Sequence, residues 1–254
     1  MRNIYSKIKL SRTFATLINK ELENIDNLKL AAVGKKPPTA NFINLSKNIS
    51  TSRNHLDSAG YFSALTFIRN NFQSLEFTIA LANQLHRSIF QNVTKDQELV
   101  GVFKTEENSI KHVFNNGHVY QNHCTTPPEY CYEAIDKLFT WVTNHIEKRT
   151  IHPLILAALF KFQFVSIHPY CDGNGKISRL LTSMIMLKNG YKVFEEINLD
   201  DILEPLNDEY IKTLLCCQFY MPGRIVEIEY WLLFFLSVVS KSYFCHRYLS
   251  EFVI

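Results

Sequence analysis

The sequence predicts an all-α fold that carries one small β-hairpin, and three observations indicate it. Apolar residues recur at helical spacing along most of the chain. Residues 152–167 are apolar nearly all round, as in a helix that is surrounded by protein. The hairpin signal is Asn115-Asn116-Gly117, which stands between β-branched and aromatic residues.

Composition sets limits on the class of protein. Hydrophobic residues make up 46% of the 254 residues and charged residues 20%, which is ordinary for a globular chain and excludes a disordered or collagen-like one. The net charge of +3 favours neither nucleic acid nor an anionic membrane as a partner. The six cysteines form no C-x-x-C pair, which favours a reducing compartment over a disulfide framework or a zinc site.

Two further features bear on location. The N-terminus shows no apolar segment followed by a cleavage site, so we expect a cytoplasmic protein, with action in its own cell or in a host cell left open. The run from Trp231 to Val239 is half the length of a membrane span and follows two glutamates. We therefore interpret it as a buried helix and expect no membrane span.

The elements follow in chain order. Residues 1–32 indicate one or two short helices, which GKKPPTA (34–40) breaks, so residues 1–40 are predicted to be a helical extension and linker. Spacing is mostly helical from 41 to 93. The clearest piece there is LEFTIALANQLHRSIF, with apolar residues at 75, 79, 82, 85 and 89.

The hairpin is predicted within residues 101–126, and Pro127-Pro128 can open the helix that follows. That helix, 129–148, is predicted to place one apolar face inward, formed by Tyr132, Ile135, Leu138, Phe139 and Val142. Pro169 ends the apolar helix 152–167. Helical spacing resumes over 176–188 and stops at Asn189-Gly190, and the remainder is mostly helical.

The loop 168–176 concentrates polar chemistry between two apolar helices. His168 ends a buried helix and can act as a general base, and Asp172 can hold Mg²⁺. The Gly-Asn-Gly run that follows can turn successive N–H groups into one concavity, at the positive end of the next helix. Lys176 and Arg179 lie on one face of its first turn, where cations oppose the dipole unless an anion binds. This combination describes a polyphosphate site, and the alternative is an ordinary turn beside a core histidine.

The segment HPYCDGNGKISR (168–179) closely resembles the signature of the Fic/Doc family, roughly H-P-F-x-D-G-N-G-R-x-x-R. The segments ANQLHRSIF, LVGVFKTEENSI and LLTSMIMLKNGY resemble other parts of that family, so the likeness covers about residues 41–245. It implies a Fic-type helical bundle over residues 41–254, with a β-hairpin flap at about 108–126 and an active-site loop at 168–176.

The resemblance implies an activity. Most Fic proteins transfer AMP from ATP to a Ser, Thr or Tyr hydroxyl of a target protein and release pyrophosphate. By the match, His168 would deprotonate the hydroxyl and Asp172 would hold Mg²⁺. The implied nucleotide-binding residues are Gly173, Asn174, Gly175, Lys176, Arg179 and, outside the motif, Tyr210. The target would dock on the flap by strand addition. Auto-modification is expected, and oligomeric state is left open.

The sequence departs from the family pattern at three places. Lys176 replaces the first arginine and so loses its bidentate fork. Tyr170 replaces phenylalanine, which is mild if its hydroxyl finds a partner. Many members carry an inhibitory helix whose glutamate pairs with the second arginine of the motif. Here STSRNHLDS (50–58) resembles that helix, but His55 stands where the glutamate would be, so we expect that brake to be missing.

Other functions stay open at this point. The same fold can transfer phosphate, UMP or phosphocholine, although the phosphorylating branch lacks the second glycine, which is present here as Gly175. A catalytically weakened domain that binds or regulates is the non-enzymatic alternative. Nucleic acid binding is not expected.

Overall fold

The computed structural model describes residues 12–32, 52–93, 96–114, 116–122, 125–218 and 228–252. Within these ranges the chain is mostly helical and has few strand residues, so the predicted all-α class is confirmed. The helices are α1 (Arg12–Ala31), α2 (Ser52–Asn71), α3 (Ile79–Phe90), α4 (Pro128–Lys148), α5 (Pro153–Ile167), α6 (Asn174–Lys188), α7 (Leu199–Leu203), α8 (Asn207–Gln218) and α9 (Ile228–Phe252). Short 3₁₀ turns lie at Gln97–Leu99, Lys192–Glu195 and Glu204–Leu206.

Three details of the predicted helices are corrected by the structure. Helix α3 begins at Ile79 rather than near Leu75, because the Thr78 hydroxyl accepts the Leu81 N–H at 3.1 Å and caps the helix there. Helix α6 begins at Asn174, two residues before the predicted start at Lys176, because Gly173 adopts the left-handed conformation that can precede it. The Tyr132 side chain is 65% exposed, since the inward face of α4 runs through Cys131 and Ile135 instead.

The hairpin consists of strands β1 (Ile110–Val113) and β2 (Val119–Asn122) in antiparallel register, with Ile110 opposite Asn122 and Val113 opposite Val119. At its turn the Phe114 N–H donates to the His118 carbonyl at 2.8 Å. Gly117 there has φ +82°, the left-handed region that favours glycine. Among the described residues these two strands form a sheet of their own, so both outer strand edges lack a strand neighbour.

The chain divides into two compact units. One spans residues 40–195 and contains the predicted site loop; we call it the motif unit. The other combines residues 1–39 with 196–254 and is called the terminal unit. The predicted boundaries of one extension and one Fic-type domain stay a prediction.

In the terminal unit, α1 packs against α9, with the rings of Phe14 and Tyr230 in edge-to-face contact at 5.1 Å. Residues Ile228–Arg247 of α9 are long and apolar enough to cross a membrane, yet 61% of that stretch is buried in the protein. Core helices of proteins that span no membrane meet the same criterion. The length and composition of this stretch are therefore only weak evidence for a membrane span.

The motif unit is built around α5, whose side chains are buried on every side, as its composition predicts. Helices α4 and α6 pack against it, and α2 packs against both α3 and α6. Aromatic rings of Phe77, Phe139 and Phe160 contact one another at 6.2–6.3 Å between centroids. This packing fixes the end of α5 and the start of α6, between which the site loop lies.

Candidate active site

His168 is the C-terminal cap of α5. Its backbone is left-handed, with φ +55° and ψ +58°, and its N–H closes the helix on the Phe164 carbonyl. A left-handed conformation is uncommon for a residue with a side chain and often marks a functional position. Pro169 prevents the helix from continuing. The histidine is therefore held by the buried helix rather than by a surface loop.

The hydrogen bonding of His168 determines its tautomer. Its Nδ1 lies 3.2 Å from the Val165 carbonyl oxygen, and because a carbonyl only accepts, Nδ1 carries the proton. Burial lowers the pKa of His168 to about 4, a shift that the bond to Val165 opposes and the charge of Lys104 reinforces. The ring is neutral near pH 7, with the Nε2 lone pair available to accept a proton.

Gly173 permits the turn between the two helices. It caps α6 with φ +77° and lies against the ring of Phe90 at the end of α3. A Cβ at this position would come within 2.3 Å of Phe90 Cε2, so only glycine fits both the backbone and the space.

Asn174 closes the loop on itself. Its Oδ1 accepts the Tyr170 N–H at 2.9 Å, and its Nδ2 donates to the Tyr170 carbonyl at 2.7 Å. Both bonds are buried, which fixes the five residues 170–174 as one closed turn. The Asn174 side chain thus holds the loop, while its backbone N–H lies at the start of the helix.

The start of α6 presents amides and cations together. The N–H of Ile177 is the first to bond within the helix, to the Gly173 carbonyl at 3.0 Å, so the amides of residues 174–176 precede the intrahelical ladder. Gly175 lies beside the Arg179 guanidinium, since a Cβ there would sit 3.2 Å from Nη1. Lys176 Nζ lies 5.5 Å from the centroid of the Phe90 ring. The loop therefore ends in a cradle suited to an anion.

Asp172 is exposed beside this cradle, and one of its carboxylate oxygens accepts the Gly173 N–H at 2.6 Å. Its backbone carbonyl is held by His86 of α3, whose Nε2 lies 3.2 Å away. The Gly101 N–H donates to His86 Nδ1 at 3.0 Å, so the His86 proton resides on Nε2 and points to Asp172. Burial lowers the pKa of His86, which keeps this arrangement neutral.

The hydroxyl group of Tyr170 has a hydrogen-bond partner, which the sequence alone could not identify. This hydroxyl donates to Asn83 Oδ1 at 2.8 Å, and the fully buried ring of Tyr170 stacks on His86 with 4.3 Å between ring centroids. Replacing phenylalanine at this position is thus accommodated by one side chain of α3.

Two other predicted residues belong to helices α8 and α2. Tyr210 belongs to α8 in the terminal unit, where it is buried and its ring lies 5.8 Å from Trp231. Its assignment to the adenine pocket stays a prediction. His55 belongs to α2, which packs against α6, but its side chain lies outside the described residues.

The side chains that support the loop come from a helix far upstream in the sequence. Asn83, His86 and Phe90 lie on α3, more than 80 residues upstream of their partners at 170–173. Ser178 also supports the loop from a position that the sequence did not single out. Its hydroxyl donates to the Gly175 carbonyl at 2.9 Å and accepts a hydrogen bond from the buried Lys161 Nζ at 3.3 Å. The sequence signal is the shared helical face of 83, 86 and 90, which by itself indicates only a core stripe.

The fold and the loop define an α-helical domain with an anion cradle beside a neutral, half-buried histidine. Comparison with known proteins identifies the domain further. A family model described as "Fic/DOC family" matches residues 76–186, which lie wholly within the motif unit. Residues 76–186 are therefore similar to the Fic/DOC family.

Relatives with similar sequences are named protein adenylyltransferases. The chain is 29% identical over 143 residues to "Protein adenylyltransferase fic-1" of Caenorhabditis elegans, covering 55% of this chain and 25% of that protein. It is 31% identical over 140 residues to "Protein adenylyltransferase Fic" of Drosophila virilis, covering 54% and 26%. The chain thus spans about a quarter of the length of these relatives.

In structure, the chain resembles a Fic domain containing signaling protein from Bacteroides thetaiotaomicron. The TM-score is 0.62 at 20% identity, and the match covers 98% of this chain and 95% of that one. A fragment of Fic-1 from C. elegans matches with a TM-score of 0.65 at 19% identity, covering 92% and 74%. At these identities the likeness shows the fold.

Proposed function

We propose that this protein transfers AMP from ATP to a hydroxyl side chain of a target protein and releases pyrophosphate. The observation that carries the proposal is His168, a neutral base whose Nδ1–H is engaged by Val165 and whose Nε2 is left to accept a proton, beside the cradle at the start of α6. The names of the relatives, protein adenylyltransferases, support the same chemistry.

In this reaction each group of residues would have its own role. A target hydroxyl gives its proton to His168 Nε2 as its oxygen attacks the α-phosphorus of ATP. The bond from that phosphorus to the bridging oxygen breaks, and pyrophosphate leaves. The amides of residues 174–176, with Lys176 and Arg179, hold the phosphates and stabilise the charge that develops on them. Neutrality of His168 at pH 7 makes it a proton acceptor rather than a donor at this step.

A divalent cation fits the residues present. The described residues contain no cluster of three or more His, Cys, Asp or Glu that would hold a metal on its own. Mg²⁺ is commonly bound by one carboxylate together with the phosphates of a substrate, and Asp172 is an exposed carboxylate at the mouth of the cradle. Its oxygen on Gly173 leaves a second oxygen for the cation. Bound Mg²⁺ would neutralise charge on the phosphates.

The hairpin offers the dock for a target segment. An exposed strand edge can pair with an extended segment through backbone hydrogen bonds, which fixes position without demanding a particular sequence. Val113 and Val119, opposite each other, are more than half exposed. The proteins that accept AMP would then include those with unstructured segments. A second copy of this chain could also accept AMP, which gives auto-modification. The reaction would take place in the reducing cytoplasm of the producing cell or of a host.

The test uses the purified chain with Mg-ATP labelled at either the α or the γ phosphate. Transfer of the α label only, with a mass gain of one AMP on the chain or on added cell proteins, is the expected result. Transfer of the γ label would replace the proposal with phosphorylation. No transfer from either, with ATP still bound, would favour a binding or regulatory domain.

The matched control is His168→Ala. It should bind ATP as the wild type does, because the cradle is built from α6, and yet transfer at least about 100-fold more slowly for lack of the base. A variant as active as the wild type would remove His168 from the mechanism.

A further inference from the structure

A second buried cation lies close to the site, on the segment that leads into the hairpin. Lys104 is only 3% exposed, and its Nζ donates to Asn108 Oδ1 at 2.7 Å and to Thr125 Oγ1 at 3.0 Å. Burying an ammonium group is costly, and the burial lowers the pKa of Lys104. A buried lysine on neutral acceptors is therefore expected to have a role beyond stability.

Its two acceptors stand on either side of the hairpin. Asn108 precedes β1 and Thr125 follows β2, and the Thr125 hydroxyl lies 2.9 Å from Asn108 Oδ1 and 3.0 Å from the Asn108 carbonyl. The three side chains thus close the base of the hairpin across 17 residues. We call Lys104, Asn108 and Thr125 the hairpin clamp.

The clamp is also bonded to the backbone around His168. The Lys104 N–H donates to the Pro169 carbonyl at 2.8 Å, and Asn108 Nδ2 donates to the Tyr170 carbonyl at 2.9 Å. On the other arm, the Thr126 N–H donates to the Ile167 carbonyl at 3.2 Å. Both arms of the hairpin are therefore hydrogen-bonded to the residues on either side of His168, the proposed general base.

We propose that the hairpin clamp positions the hairpin relative to His168, so that the hydroxyl of a segment docked on the strands meets Nε2. This inference rests on the proposed function and extends it to the residues that deliver the acceptor. Lys104, Asn108 and Thr125 are positioning residues and leave nucleotide binding to α6. Since misplacing reacting atoms by about 1 Å can cost about 100-fold in rate, loss of the clamp should reduce transfer strongly while ATP still binds.

The charge of Lys104 also acts on the imidazole of His168, the proposed general base. It acts to lower the pKa of His168, in the same direction as burial. Its ammonium group is thus near enough to the imidazole to influence it, although its bonds go to the hairpin arms.

The first measurement tests the hairpin clamp without relying on AMP transfer. Hydrogen–deuterium exchange over residues 110–122 should be at least about tenfold faster in Lys104→Met and Thr125→Val than in the wild type, because both open the base of the hairpin. Thr125→Ser keeps the hydroxyl and should exchange like the wild type. Lys161→Met is the matched control for removing a buried lysine, since Lys161 lies on α5 and bonds to Ser178 of α6; its hairpin should also exchange like the wild type.

The second measurement separates delivery from nucleotide binding. The acceptor is a copy of the chain that carries His168→Ala, supplied at increasing concentration with α-labelled Mg-ATP. For Thr125→Val and Lys104→Met we expect transfer about 100-fold slower at low acceptor concentration, with ATP affinity within about threefold of the wild type. Thr125→Ser should restore most of the rate.

The outcomes separate the two proposals. Unchanged hairpin exchange in both clamp variants, or an ATP affinity that falls in step with transfer, would overturn the clamp. Absence of transfer in the wild type would overturn the proposed function, and the exchange experiment would still decide whether the clamp holds the hairpin.

Discussion

Gly173 lies directly against Phe90: a Cβ on residue 173 would meet Cε2 of that ring at 2.3 Å and Cζ at 2.7 Å. The same ring has Lys176 Nζ 5.5 Å above it and His86 at 4.7 Å between centroids. One aromatic side chain of α3 therefore supports the turn, a cation and the histidine that holds Asp172. The glycine is required by contact as well as by backbone conformation.

This contact predicts an unusually harmful Gly173→Ala substitution. It should cost about 1–2 kcal/mol for the left-handed backbone and a further ~1–3 kcal/mol for the clash with Phe90, with ATP affinity falling as the cradle shifts. Gly117→Ala is the matched control, because Gly117 has φ +82° but a Cβ there would have no neighbouring atom within 4 Å. Urea unfolding and ATP titration provide the measurements.

A double variant isolates the contact. Gly173→Ala with Phe90→Leu should recover part of the loss, since the smaller side chain makes room, and the two substitutions should be non-additive. Equal losses in Gly173→Ala and Gly117→Ala would show that the backbone alone explains the glycine.

The lowered pKa of His168 predicts how activity depends on pH. Because its pKa is about 4, the ring stays unprotonated through pH 5–8, and the rate of AMP transfer at saturating Mg-ATP should show no acid limb near pH 6.5. A limb centred near the ordinary histidine value would contradict the burial of this base.

Stability should depend on pH in this range even though the rate of transfer should not. Between pH 6.5 and about 4 the unfolded histidine binds a proton that the folded one does not, so the folded state loses stability as pH falls through that window. The melting temperature should therefore drop less between pH 7 and pH 5 in His168→Ala than in the wild type. His86, whose pKa is also lowered, adds the same trend in both proteins and cancels in the comparison.

The site divides into a part that local sequence predicts and a part that it does not. The ends of α5 and α6 follow from neighbouring residues: Pro153 begins one helix, Pro169 prevents its continuation, and Asn189 with Gly190 ends the other. These signals act within a few residues and can be seen in the sequence.

The support beneath the loop could not be predicted in this way. His86 meets the Asp172 carbonyl across 86 residues, and Tyr170 meets Asn83 across 87. Such pairs depend on how α3 packs against the loop, which no local periodicity encodes. For the same reason the predicted inward position of Tyr132 on α4 is wrong: helical spacing gives a stripe, and packing decides where its edge falls.

His86 gives a fourth prediction, from its two hydrogen bonds. His86→Leu removes both and leaves the buried Gly101 N–H without its acceptor, which should cost about 1–3 kcal/mol. His86→Gln keeps a donor and an acceptor at similar spacing and should lose less. The free energy of unfolding in urea compares them, and equal losses would mean that ring stacking, not hydrogen bonding, is what the histidine supplies.

The last prediction concerns residue 55, where the resemblance to the Fic/Doc family implies an inhibitory glutamate and this chain has histidine. His55 lies in α2, and α2 packs against α6, which carries Arg179. A glutamate at 55 that pairs with Arg179 would compete with the phosphate that this arginine is proposed to hold. Because hydrogen bonds to charged groups are worth about 1.5–3 kcal/mol, His55→Glu should weaken ATP binding and slow auto-modification by at least about tenfold.

His55→Gln serves as the control, since it offers similar length without the charge and should bind ATP like the wild type. Adding Arg179→Lys to His55→Glu should not restore binding, because both changes weaken the hold on phosphate. If His55→Glu modified itself as fast as the wild type, residue 55 would not be the brake position, and the natural histidine there would not explain an unrestrained enzyme.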